Sequence, residues 1–148
     1  MTREKKAVFV ILIIIALIGT YINYRPSIDK VDIISVEITD VVPSPQIAKK
    51  FDNKNDMNEF SQKFYESFEK FKPMVLNLSK DFDSTIYIEG NDGSYIPMMI
   101  QDDCIKIQDK WYKTDNTFIE YINKFFDEKQ GTEININESL GLKYYEGQ

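Results

Sequence analysis

The chain begins with a continuous apolar segment, and the patterns that follow it are shorter and periodic. Residues 7–19 read AVFVILIIIALIG, and the window 7–24 between Lys6 and Arg25 carries no charge. As a helix that window spans about 27 Å, close to the hydrocarbon thickness of a bilayer. The side chains of Lys6 and Arg25 reach toward the headgroups, which increases the thickness that the helix can span. The pattern therefore predicts one membrane-spanning helix over residues 7–22.

A cleavable signal peptide and a buried core helix are the alternatives for this segment. The residues after the apolar run, GTYIN at 19–23, lack the small-x-small pattern of a cleavage site. The lone cysteine is at position 104, so no lipid-attachment cysteine follows the helix. Three basic residues precede the helix and one, Arg25, follows it. By the positive-inside rule we expect an uncleaved signal anchor in the cell membrane, with a cytoplasmic N-terminus and residues 25–148 extracytoplasmic.

The predicted organisation is an anchor segment at 1–24, a linker at 25–29, one α+β domain at 30–130 and a tail at 131–148. The predicted elements are, in order, a strand over 30–39, a helix over 56–71, strands over 85–89, 95–101 and 104–108, a continuation of this meander at 111–113, and a helix over 116–129. The order β-α-β-β-β-α implies an antiparallel sheet covered by two helices. In the tail, TEINI favours an added strand, whereas LGLKYYEGQ looks frayed.

Both predicted helices have an aromatic-rich face at helical spacing. The first face comprises Met57, Phe60, Phe64, Tyr65, Phe68 and Phe71, and the second comprises Phe118, Ile119, Tyr121, Ile122, Phe125 and Phe126. Asp56 and Glu59 have the spacing of a capping box, so we expect the first helix to begin there. Thr117 and Glu120 repeat that spacing in the second helix. Pro43 and Pro45 predict irregular structure before the first helix.

The strands and turns of the meander resemble a known type of domain. The pattern consists of Ile86-Tyr87-Ile88, the acidic turn Asp102-Asp103, Ile105-Lys106-Ile107 and Trp111-Tyr112. Over roughly residues 30–128, this pattern resembles small extracytoplasmic domains of Gram-positive bacteria, and the YhfM-like lipoprotein domain is the nearest type. The resemblance implies the fold and an extracytoplasmic location. The chain departs from that type by having a membrane helix where the lipoproteins have a lipid-bearing cysteine.

Charge and composition narrow the functional classes. The net charge is −6, and residues 1–24 contribute +2, so −6 less +2 leaves −8 for residues 25–148. A domain of that charge repels phosphate backbones, which argues against nucleic acid as a partner. Histidine is absent, which removes the usual general base near neutral pH and the Ser-His and Cys-His nucleophile pairs. We therefore expect a protein that is not an enzyme.

The acidic clusters have two interpretations. Asp102 and Asp103 with Asp109, or Asp92 beside Gly93, offer oxygen ligands for calcium, but aspartate also favours hairpin turns for its own backbone hydrogen bonds. The turn interpretation is preferred, so no metal or cofactor site is predicted. A carboxylate pair for glycoside hydrolysis carries little weight among 24 acidic residues. No catalytic residue is predicted.

The remaining candidate functional residues are four aromatic residues and the single thiol. Trp111, Tyr112, Tyr144 and Tyr145 offer rings for stacking on a sugar or a partner. Because Trp111 and Tyr112 occupy adjacent strand positions, we expect one ring in the core and the other outside, and core packing is preferred to stacking. Cys104 begins an apolar strand without a basic neighbour, which is typical of a buried, inert thiol. The predicted partner-binding residues are Trp111, Tyr112, Asp102 and Asp103.

Two functional hypotheses follow from tethering, small size and negative charge. The first is a non-enzymatic domain that binds a protein at the outer membrane face, as an immunity or inhibitor protein or as an accessory subunit of an envelope complex. The alternative is a sensor-like domain that binds a small ligand, a glycan or a cation, which requires a concave pocket with converging polar groups.

Overall fold

The computed structural model describes residues 3–25, 27–41, 46–75 and 82–147. Its first element is helix α1, Arg3–Asn23, in which Lys5–Ile22 is long and apolar enough to cross a membrane. None of that window is buried against the other described residues. The apolar helix predicted at the N-terminus is therefore present, and its side chains are exposed to the surroundings rather than to a protein core.

The remaining elements confirm the mixed α+β class. The strands are β1 Ile33–Asp40, β2 Ile47–Phe51, β3 Lys72–Pro73, β4 Ser84–Gly90, β5 Tyr95–Gln101, β6 Cys104–Ile107, β7 Lys110–Lys113 and β8 Thr132–Ile134. The helices are α2 Lys54–Phe68, α3 Thr117–Glu128 and α4 Leu140–Glu146, with a 3-10 turn at Ile136–Glu138. In the described part of the chain the strands form one antiparallel sheet, ordered β3-β7-β6-β5-β4-β1-β2-β8.

Alternation along the central strand β1 divides the sheet into two faces. Val36 and Ile38 point to one face, where they pair with Ile88 and Ile86 of β4. Successive side chains of a strand point to opposite sides, so the intervening Glu37 lies on the other face. The first face packs against α2 and α3, and its side chains form the main hydrophobic core with the aromatic stripes of both helices.

Aromatic contacts dominate the main core. Phe60 of α2 contacts Phe125 of α3 edge to face, with ring centroids 5.4 Å apart, and Phe51 of β2 contacts Phe125 at 5.0 Å. Phe51 and Phe60 come from consecutive elements, whereas Phe125 is more than 60 residues from both. Such pairs add about 0.5–1.5 kcal/mol each to the burial of their apolar area. The helices and the sheet are therefore joined at one aromatic cluster.

The opposite face of the sheet has a smaller core beneath α4. Met99, Cys104, Trp111 and Tyr145 form this second cluster, and α4 contacts β1, β4 and β5. The predicted cover of two helices is thus an incomplete description, because the tail supplies a third helix on the other face. LGLKYYEGQ looks frayed in the sequence because its Gly and charged residues weaken the helical pattern. Packing of Tyr145 compensates for that weak local preference.

The predicted start of the first helix is wrong by two residues. Asn53 is the N-cap of α2, and its side chain accepts hydrogen bonds from the backbone N–H groups of Asn55 and Asp56. Asp56 and Glu59 do not form the capping box. Their carboxylates instead contact Lys129, which follows α3, at 2.9 and 2.8 Å. The contact between Asp56 and Lys129, which are 73 residues apart in sequence, forms in place of the local capping box.

The predicted capping box of the second helix is also wrong. Asn116 is the N-cap of α3, has φ of 69° and makes no side-chain capping bond. Asparagine tolerates this left-handed conformation better than most residues. The Thr117 hydroxyl donates to Asp115 instead, at 2.5 Å.

The predicted order β-α-β-β-β-α lacks β2 and β3, each for a physical reason, and includes β8 only through the strand interpretation of the tail. β3 is only Lys72–Pro73, too short to give an alternating pattern. β2 follows the prolines at 43 and 45, which lie outside the described residues, and its half-buried lysines, Lys49 and Lys50, weaken its apolar pattern. β8 forms within TEINI, as the strand interpretation of the tail predicts, and pairs with β2.

Candidate functional site

A cavity of about 340 Å³ opens between one end of the sheet and α3. Its apolar lining consists of Ile38, Ile100, Ile119, Ile122 and Phe126, and its polar lining consists of Asp40, Asp83, Ser84, Asp102, Asn123 and Asp127. The described lining residues thus include four carboxylates and no lysine or arginine. This cavity is the candidate site because it combines an apolar floor with a rim of one charge sign.

Sheet register brings three of the four carboxylates together. Asp40 ends β1 and pairs with Ser84, the first residue of β4, which in turn pairs with Ile100 of β5. Asp83 directly precedes β4, and Asp102 directly follows β5. All these positions therefore lie at the same end of the sheet. Asp127 completes the rim from α3.

Backbone geometry fixes the turn that carries Asp102. Its φ is 52°, in the left-handed region that aspartate tolerates as a single residue. The Asp102 backbone N–H donates to Oδ2 of Asp83 at 2.9 Å, and the Asp83 N–H donates to the Ile100 carbonyl at 2.8 Å. The carboxylates of Asp83 and Asp102 therefore differ in what they contact. Asp83 has an acceptor role in the turn, while the Asp102 side chain lines the cavity.

The chemistry of the cavity favours a cationic group with an aliphatic portion. Carboxylates that share one rim attract a cation more strongly than an isolated exposed carboxylate does, because their potentials add. The isoleucines of the floor suit the methylene chain of a lysine or arginine side chain. Within the described residues, no group of three or more His, Cys, Asp or Glu is arranged to hold a metal ion.

The four residues predicted for partner binding do not come together. Asp102 lines the cavity, while Asp103 contacts Lys113 on the surface at 3.2 Å. Hydrogen bonding from the Cys104 thiol, aided by Lys113, lowers the pKa of the Asp103 carboxyl. Trp111 is 4% exposed and lies in the second core, whereas Tyr112 is fully buried in the main core. Neither ring is available at the surface of this fold. The expectation that one of the two rings lies outside the core is wrong, because α4 also covers the face on which Trp111 lies.

Cys104 is buried, as its sequence position predicts. Burial, and then the neighbouring Asp103 carboxylate, raise the pKa of its thiol to about 11. The thiol donates to Oδ1 of Asp103 at 3.3 Å. A thiol with this pKa is almost entirely protonated near neutral pH, so it is a poor nucleophile.

Sequence reasoning missed Asp40, Asp83 and Asp127 as members of one site. Each is a single acidic residue beside a strand end or on a helix, and they are separated by tens of residues. The available signal is that Asp40 and Asp83 both adjoin predicted strand ends. Without the register of β1 and β4, that signal does not show that the two ends meet.

Comparisons with known proteins identify no relative of this chain. No protein-family model matches it, and comparisons with the curated proteins and with the solved structures give no significant match. The likeness to YhfM-like domains therefore stays a prediction.

Proposed function

We propose that this chain is a single-pass, membrane-anchored binding domain that engages a protein partner on the extracytoplasmic side. The observation that carries the proposal is the contrast between the two parts of the chain. None of the apolar span Lys5–Ile22 is buried against the other described residues, whereas the sheet and helices close a core without it. An uncovered apolar helix is stable in lipid and unstable in water.

The position of the cavity across the sheet supports a partner site away from the anchor. The anchor contacts the domain at β7, where Tyr21 lies beside Lys110 and Arg25 lies over Tyr112. The cavity is lined by residues of β1, β4 and the end of β5, which are two to four strands from β7. Adjacent strands are about 4.8 Å apart, so the cavity lies about 10–19 Å across the sheet from these contacts, where a soluble partner has access.

The proposed partner presents a basic segment. Residues 25–148 sum to −8, and the cavity rim contributes four of the carboxylates. Complementary charge increases the rate of encounter and disfavours acidic competitors. An immunity or inhibitor protein and an envelope accessory subunit both fit this description. Binding of this kind requires no catalytic group, so we place the protein among non-enzymes.

Site-specific photo-crosslinking in intact cells tests the proposal. A photoreactive residue replaces Asn123, which lines the cavity, and in a matched control it replaces Lys124, the next residue of the same exposed helix surface. We expect one protein adduct from position 123 and little from 124. The same adduct is expected to disappear when Asp40 and Asp127 are both changed to asparagine.

The crosslinking outcomes separate specific from general association. An adduct that forms equally at both positions, or that survives the double substitution, contradicts recognition through the cavity. No adduct at position 123 in cells that retain the folded chain contradicts the protein-binding function itself.

A second candidate function is binding of a small organic cation, and the cavity volume of about 340 Å³ favours it. That volume suits a polyamine or a single amino-acid cation. Calorimetry with spermidine, with calcium as the inorganic comparison, distinguishes the two functions. Saturable spermidine binding that is lost in Asp127→Asn supports the small-ligand function, and heats of dilution alone contradict it.

A further inference from the structure

Arg25, the first charged residue after the membrane span, is built into the folded domain. Its guanidinium donates to the backbone carbonyls of Phe68, of Glu69 at 2.8 Å and of Phe71 at 2.7 Å. The same group lies over the Phe68 ring, 4.6 Å from its centroid. The carbonyls at the end of a helix lack intrahelical partners and carry partial negative charge, so Arg25 acts as a cap of α2.

This cap limits the distance between the domain and the membrane. From Ile22, the end of the apolar span, to Arg25 the chain advances three residues, which reach at most about 11 Å. The headgroup layer on each side of the hydrocarbon core is about 5–8 Å thick. The carboxyl end of α2 is therefore held at the level of the headgroups or immediately above it.

A second contact joins the span to the domain independently of Arg25. The Lys110 ammonium, at the start of β7, lies 5.8 Å from the centroid of the Tyr21 ring. Tyr21 and Tyr24 are both largely exposed, at a position where tyrosine favours the membrane interface. The β6–β7 corner of the sheet is thus adjacent to the end of α1.

The residues around these two contacts form what we call the juxtamembrane surface, which comprises Arg25, Glu69, Lys70, Lys72, Asp109 and Lys110. It carries four cations and two carboxylates, in a domain whose total charge is −8. Lys70 and Lys72 are exposed and directly follow the end of α2. These cations lie beside the β3–β7 edge of the sheet, which the end of α1 adjoins, and the acidic cavity lies two or more strands away, beside β5, β4 and β1.

We propose that Arg25 docks the domain on the membrane that holds α1, with Lys70, Lys72 and Lys110 against lipid headgroups. The proposal rests on the membrane anchoring proposed above and is independent of any protein partner. Basic groups near an anionic surface are attracted to it, and three lysines add this attraction to the connection through α1. Docking fixes the orientation of the domain, and with it that of the acidic cavity, relative to the bilayer.

Headgroup quenching of two labels on the full chain tests this docking. The full chain is reconstituted in vesicles of phosphatidylcholine and phosphatidylglycerol that contain a headgroup-labelled quencher lipid. A fluorophore is attached in a Cys104→Ala background either at Lys72→Cys, on the juxtamembrane surface, or at Asn123→Cys, in the cavity lining. We expect quenching at position 72 to exceed that at position 123 by several-fold. Equal quenching at the two positions overturns the proposal.

Two Arg25 variants then test the cap. Arg25→Ala removes the contacts with α2, and Arg25→Lys retains the charge without the planar fork of donors. We expect quenching at position 72 to fall in both variants, while alkaline extraction still leaves each chain in the vesicles. Unchanged quenching in both variants overturns the role of Arg25.

Failure of docking and failure of anchoring have different signatures. If alkaline extraction releases the full chain from the vesicles, the anchoring is wrong and the docking is wrong with it. If the chain resists extraction and the two labels are equally quenched, anchoring stands and docking alone is wrong.

Discussion

The carboxylate of Glu37 accepts a hydrogen bond from the backbone N–H of Leu140 at 2.6 Å, across 103 residues of the chain. The next N–H, of Gly141, donates to the same oxygen at 3.3 Å. Glu37 is 6% exposed, on the sheet face opposite α2 and α3. A second buried contact, of 2.6 Å between the hydroxyls of Thr39 and Ser139, lies beside it. These contacts hold the first turn of α4 on the sheet.

Glu37→Ala is expected to loosen α4 without disrupting the main core. Loss of hydrogen bonds to a buried carboxylate costs about 1–3 kcal/mol. Because α4 covers the cluster of Cys104 and Trp111, the rate of Cys104 modification by a thiol reagent should rise in the variant. Glu89→Ala is the matched control, since Glu89 lies on the same face and pairs with Lys50 and Ser35 rather than with α4. Equal rates in the two variants would contradict this role of Glu37.

Phe125→Ala should be among the most destabilising single changes in the domain. Phe125 is fully enclosed by Phe51, Phe60 and other core side chains, and truncation of such a ring costs about 3–5 kcal/mol. Ile34→Ala is the control, because Ile34 is 46% exposed, and it should change stability by about 0.5 kcal/mol or less. Denaturant unfolding measures both. Similar losses of stability in the two variants would contradict the position of Phe125 in the main core.

Lys129→Met is expected to lower the thermal unfolding midpoint, because Lys129 joins the end of α3 to Asp56 and Glu59 of α2. Hydrogen bonds that the Lys129 ammonium donates to the carboxylates of Glu59 and Asp56 raise its pKa, which indicates that its charged form is favoured in the fold. The comparison is Lys124→Met, because Lys124 is exposed and makes a 3.9 Å contact with Glu128 one helical turn away. Added salt should shrink the effect at Lys129, and a larger effect at Lys124 would refute the assignment.

Alkaline pH should destabilise the domain through Cys104. Its thiol has a pKa of about 11 in the fold, against an ordinary value of 9.0. Between these values the unfolded chain has lost the thiol proton and the folded chain retains it, so the free energy of unfolding falls as pH rises. The loss saturates above about pH 11 and amounts to about 2–3 kcal/mol. In Cys104→Ala this part of the alkaline loss should vanish, and an unchanged pH profile would contradict the burial of the thiol.

The sequence predicts elements well where a pattern is long and local. The apolar run of α1, the aromatic stripe of α2 and the Asp-Gly hairpin at Gly93 each depend on neighbouring residues, and the structure has each of them. Helix caps are less predictable, because Asp56 has a better partner in Lys129 than in its own helix.

The candidate site is the least predictable part of the molecule. Asp102 stands in a recognisable acidic turn, but its companions Asp40 and Asp127 become neighbours only through the sheet register and the packing of α3. Trp111 is the converse case. It is prominent in the sequence as a candidate for binding, but helix α4, which Glu37 holds on the sheet, covers it. Long-range contacts decide both outcomes, and no local pattern encodes them.

Residue accessibility in intact cells tests the central claim, an anchored domain outside the membrane, most directly. A membrane-impermeant thiol reagent is applied to chains that carry Ser27→Cys or Thr2→Cys in a Cys104→Ala background. Ser27 is exposed in the structure, two residues after Arg25, and residue 2 lies outside the described part of the chain. We predict labelling at position 27 before permeabilisation and at position 2 only after it. Labelling of position 2 alone in intact cells would contradict the account and move the domain to the cytoplasm.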